Sequence, residues 1–85
     1  MTTNLILNTL EVTEVTGLTA NKDYFFQGFC TLSTGEVMKT DFELFKGEPT
    51  TGLKGIKGDY IAITKNDDIY VRALNANTVI VITEC

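Results

Sequence analysis

The chain has 85 residues, 44% hydrophobic and 21% charged, with eleven acidic against seven basic side chains, no histidine and a net charge of −4. This is the make-up of one ordinary globular domain over residues 1–85 rather than a disordered chain, and its acidity argues against broad contact with a phosphate backbone. Without histidine, Ser–His and Cys–His nucleophiles, the commonest general base and the commonest zinc ligand are all excluded.

A domain of this mass is expected to bury only about 63% of its unfolded surface, and self-association is a common remedy for so small a core. Residues 4–15 (NLILNTLEVTEV) are β-rich, with Ile6, Leu10 and Val12 on one parity and Leu5 and Leu7 on the other. A polar connector follows at residues 16–23. Residues 24–30 (YFFQGFC) read as the second strand, in which the interior Gly28 predicts a bulge or a close backbone approach. Ser33-Thr34-Gly35-Glu36 is a hairpin turn. Residues 37–45 alternate most cleanly: Met38, Thr40, Phe42 and Leu44 are expected to point inward, against Val37, Lys39, Asp41, Glu43 and Phe45 on the outward side.

Residues 47–58 (GEPTTGLKGIKG) hold the only proline and four of seven glycines, so they exclude a central strand or a helix. Leu53 and Ile56 are expected to anchor this loop, which is long enough to be a contact surface. Three strands close the chain, at residues 59–64, 69–74 and 78–84, separated by Asn- and Asp-rich turns. The whole predicts an all-β domain, a small antiparallel sandwich or barrel of about six strands.

Chemistry-bearing patterns are sparse. Cys30 and Cys85 lack the spacing of a zinc or redox pair; they read as free thiols, or as one bridge if the last strand lies beside the second. Asp59, Asp67, Asp68 and Glu84 do not follow a calcium-loop pattern, and Asp41 with Glu43 reads as solubilising charge. Hence no catalytic, metal or cofactor site is expected, and the chain reads as non-enzymatic. Neither a signal peptide nor a membrane span is suggested by the start of the sequence. An OB-like nucleic-acid domain or a saccharide binder using Tyr60 and Tyr70 are lesser alternatives, because the aromatics sit in otherwise apolar strands.

Residues 5–7, 24–26, 60–63 and 79–82 are apolar on both strand faces, more than one two-layer core can bury. Either the 47–58 loop folds over one such face or another subunit does, since soluble monomers seldom expose several hundred Å² of apolar surface.

The segments LTANKDYFFQG (residues 18–28), GEPTTGLKGIKGDYIAIT (residues 47–64) and IYVRALNANTVIVITE (residues 69–84) resemble small all-β structural proteins of tailed bacteriophages. The third strand departs from that pattern in being longer and more charged. The resemblance implies a virion component assembled in the host cytoplasm: a capsid decoration protein or a tail- or fibre-associated subunit, usually a trimer or other symmetric ring, docked on phage capsid or tail proteins. On that reading Leu5, Leu7, Val79, Ile80, Val81 and Ile82 bury against sister subunits, and Lys46, Lys54 and Lys57 form the tip of the loop that touches a neighbour. A rival reading is a phage-encoded protein that binds and inhibits a host or defence protein.

Overall fold

The computed structural model describes residues 2–7, 10–49 and 55–85, and all regular structure among them is β. In chain order the strands are β1 (Thr2–Leu7), β2 (Thr13–Val15), β3 (Asp23–Thr31), β4 (Val37–Lys39), β5 (Phe42–Lys46), β6 (Ile56–Gly58), β7 (Tyr60–Thr64), β8 (Ile69–Ala73) and β9 (Thr78–Glu84). They form two sheets whose pairings are all antiparallel. Sheet A runs β1-β9-β3, and the far edge of β3 is shared by β7 and β4; sheet B runs β2-β8-β5-β6. The slab they make is 18 Å across its thin axis, against 39 and 33 Å along the others.

The expected all-β antiparallel architecture is present, and the larger number of strands has a physical cause. Residues 4–15 contribute to both sheets, β1 to sheet A and β2 to sheet B. The run from Val37 onward bends at Thr40 and Asp41, so that β4 belongs to sheet A and β5 to sheet B. A second bend at Asp59 carries the chain from β6 in sheet B to β7 in sheet A, and β6 takes the edge position that glycine-rich sequence allows.

Both corners are tied to Gly28. Its N–H donates to the Asp59 carbonyl (2.9 Å), and its own carbonyl accepts from the Thr40 N–H (3.0 Å). A Cβ at this position would collide with the Thr40 carbonyl and lie 2.7 Å from the Phe42 ring, so the close approach expected of Gly28 is what lets sheet B's chain cross over sheet A.

The core lies between the sheets. Tyr24, Phe26, Ile61, Ile63, Ile80, Ile82 and Leu7 from sheet A meet Phe42, Leu44, Ile69, Val71 and Ala73 from sheet B, all in one buried cluster. Asn75 serves the two buried threonines: the Thr78 hydroxyl donates to the Asn75 carbonyl (2.7 Å) and the Asn75 amide to the Thr40 hydroxyl (2.5 Å). Asn77 holds its turn with φ of 57°, a left-handed conformation that asparagine tolerates. The hairpin at residues 32–36 closes through Leu32 N–H to the Glu36 carbonyl (2.8 Å).

The alternation expected of residues 37–45 holds only beyond the bend. Thr40, Phe42 and Leu44 are buried, but Met38 precedes the corner, beyond the reach of sheet B, and is 50% exposed. Glu43 is buried rather than solvated, because it pairs with Arg72 directly across the strands.

Candidate association surface

The register of sheet A sorts its side chains into an inner and an outer set. Phe26 is opposite Ile82 and Ile61, and Gly28 opposite Ile80, all on the core side. The next residues along each strand therefore point away from the core. They form rows across the sheet. Ile6, Val79, Phe29 and Lys39 make one row. Asn4, Val81, Gln27 and Tyr60 make the second, and Thr2, Thr83, Phe25 and Ala62 the third. Asp23 beside Thr64 ends the face on one side, and Thr31 beside Val37 ends it on the other.

This face is open and mixes apolar with uncharged polar side chains: Ile6, Phe25, Phe29, Val37, Tyr60, Ala62, Val79 and Val81 alternate with Thr2, Asn4, Gln27, Thr31, Thr64 and Thr83. Ile6 and Val37 are each 65% exposed and Tyr60 52%, while Phe25, Phe29, Val79 and Val81 are half-buried by their neighbours alone. Phe25 and Tyr60 lean together, ring centroids 5.4 Å apart at 32°. Asp23 accepts from the Thr64 hydroxyl (2.6 Å) at the rim.

The residues expected at an interface do not all lie here. Val79 and Val81 do; Ile80, Ile82 and Leu7 are core residues and Leu5 packs against the core, so they hold the fold rather than a neighbour. Lys46 and Lys57 do not share one face. Lys57 is opposite Glu43 on the outer face of sheet B, whereas Lys46 shares the inner-facing parity of Leu44 at the open end of β5. Lys54 and Leu53 lie outside the described residues.

Sequence reasoning did not place Ile6, Phe25, Phe29, Val37 or Tyr60 at an interface between subunits, although it turned Val37 outward and took Tyr60 as a surface aromatic. A signal was present for β3: Gly28 shares its parity with Tyr24 and Phe26, and a close approach marks the packed side, while Gln27 shares the opposite parity with Phe25 and Phe29.

Other concave regions offer less. A cleft of about 530 Å³ at one end of the slab is lined by Asp23, Lys46, Thr64, Asn66 and Cys85 among others. It brings opposed charges, Asp23 and Lys46, and the free thiol of Cys85 to one place. A smaller cleft of about 260 Å³ on sheet B lies between Val12, Glu48, Pro49 and Tyr70. There, partial burial first, and then the carboxylates of Glu14, Glu48 and Asp68, raise the Tyr70 hydroxyl above its ordinary pKa of 10.0. Among the described residues no group of three or more carboxylates or thiols is placed to hold a metal ion. β9 does lie beside β3, yet Cys30 is opposite Thr78 at one end while the Cys85 N–H bonds the Asp23 carbonyl (3.0 Å) at the other, so both thiols are free.

Comparison with family models, with curated proteins and with solved structures gave no match.

Proposed function

We propose that this chain is a non-enzymatic structural subunit that works by self-association, docked on a tailed-phage particle as a capsid decoration or tail-associated protein. The observation that carries the association is the outer face of sheet A. At about 4.8 Å between strands and about 3.4 Å per residue, four strands by seven residues project roughly 450 Å² of plane, on which Ile6, Phe25, Phe29, Val37, Tyr60, Ala62, Val79 and Val81 are the apolar side chains. The largest apolar patch of a small protein is often its functional contact surface, and among the described residues this face carries the exposed Ile6, Val37 and Tyr60 together. The phage assignment rests on the resemblance in residues 18–28, 47–64 and 69–84.

Base stacking on the exposed Phe25, Phe29 and Tyr60 is the competing use of such a face. A stacking platform works with a basic groove that tracks the backbone, and here Lys39 is balanced by Asp23 in a chain of charge −4. Apolar contact with protein is therefore the better-supported use.

Light scattering of the purified chain at micromolar concentration should give a mass of two or more copies, and mass spectrometry of purified particles should find the chain in many copies. A monomer throughout removes the association; absence from particles removes the virion role and favours the inhibitor.

A further inference from the structure

We infer that the outer face of sheet A is covered by a second copy of this chain, related by a two-fold axis that runs across the strands and passes beside Gln27. Lys39 of each copy then meets Asp23 of the other. This rests on the association reading above and specifies its partner and geometry.

The charge pattern of the face leads to it. In a chain with eleven acidic and seven basic residues, the outer-facing strand positions of sheet A carry one of each. Asp23 is at one end of β3's outer row, and Lys39 is opposite Phe29, toward the other end. A face with an acid at one end, a base at the other and only uncharged side chains between is complementary to its own reversed copy. A two-fold contact supplies that reversal, because residue i touches j wherever j touches i.

Reversal about Gln27 matches the remaining rows. The row of Phe25 lies over the row of Phe29 in the second copy, two residues or about 7 Å to either side of the axis. Gln27 falls on its own counterpart, and a side-chain amide carries both donors and an acceptor, so it can pair with itself. β4 and β7 occupy the same lateral position beside β3, so Lys39 lies over Ala62 of the second copy, next to Thr64 and Asp23. Its four-carbon stem spans the remaining distance. Two such faces bury on the order of 1,000 Å² in total, the low end for specific interfaces, which fits a reversible dimer or the joining of two rings.

The test is sedimentation equilibrium on the wild-type chain, Asp23→Lys, Lys39→Asp and the double variant. Asp23 and Lys39 are exposed, and the bond from Thr64 to Asp23 lies on the surface, so each variant should keep the wild-type thermal unfolding curve. Each single reversal should weaken dimerisation by about tenfold, since the contact occurs twice per dimer, and the double variant should recover to within about twofold of wild type. Single variants that weaken association without recovery in the double variant, or a trimer indifferent to all of them, overturn the two-fold arrangement while leaving association standing. A wild-type monomer overturns the association itself.

Discussion

Phe45 and Phe25 each lie on the outer face of a sheet, in register with a neighbouring strand's side chains, yet Phe45 is 6% exposed while Phe25 has only its neighbours for cover. The difference lies in what crosses above them. Gly55, at the end of the long loop, lies against Glu43 and Phe45 so closely that a Cβ there would collide with the Glu43 side chain and stand 2.9 Å from the Phe45 ring. Beside it Arg72 pairs with Glu43, and Lys57 flanks the same carboxylate across the next strand. Sheet B thus covers Phe45 and Glu43 on its outer face with Gly55 and an ion pair. Nothing of the kind lies over the outer face of sheet A among the described residues. Two layers have one inside between them, so each sheet must find a cover for whatever apolar side chains it turns outward, and only one of these sheets finds it among the described residues.

The sharpest way to break this comparison uses adjacent residues of β9. Ile80→Asp places a charge among fully buried side chains and should cost upwards of about 3 kcal/mol, which a domain near the size limit cannot absorb; circular dichroism should show an unfolded chain. Val79→Asp, one residue away and facing outward, should change folding stability by about 1 kcal/mol or less and abolish association in the centrifuge. Equal effects of the two substitutions would erase the distinction between core and contact face.

On sheet B the effects should be intermediate and confined to folding. Arg72→Ala strips the counter-charge from Glu43, whose side chain is 10% exposed, and urea titration should show a loss of about 1–3 kcal/mol, moderated because the arginine is 41% exposed. Gly55→Ala should lift the loop from Phe45 and cost a similar amount. Neither should alter the oligomer, and a change in it would mean that sheet B is also a contact face.

The smallest effect concerns Tyr70. Its hydroxyl is raised in the folded chain, so above pH 10 the unfolded chain releases this proton first and the folded state loses stability as pH rises. Unfolding midpoints of wild type and Tyr70→Phe should therefore diverge above pH 10, with the wild type falling faster, and coincide at neutral pH. A wild-type curve parallel to the variant's would remove the influence of Glu14, Glu48 and Asp68.

Much of the fold is legible in the residues. β3, β7, β8 and β9 fall within a residue or two of the positions that alternation and turn chemistry assign, because those signals are local. The bends at Thr40 and Asp59 were not legible: an extended chain that changes sheets keeps its β character, and only the carbonyl and amide of Gly28 show where it turns. The candidate surface was half legible. That residues 79–82 had one face too many followed from composition. Which of Val79 or Ile80 pointed outward did not, since valine and isoleucine suit either side and a shift of one residue in register exchanges them.

The sequence by itself determined an acidic, histidine-free, all-β chain with more apolar strand surface than a two-layer core can take. Those are properties of residue type and period, and no partner is needed to read them. Only the tertiary structure decided which surface was left over, because it follows from which strands pair, in what register, and where one loop comes to rest. Gly55, at the end of that loop, settles on Phe45 and Glu43, and among the described residues the outer face of sheet A is what remains.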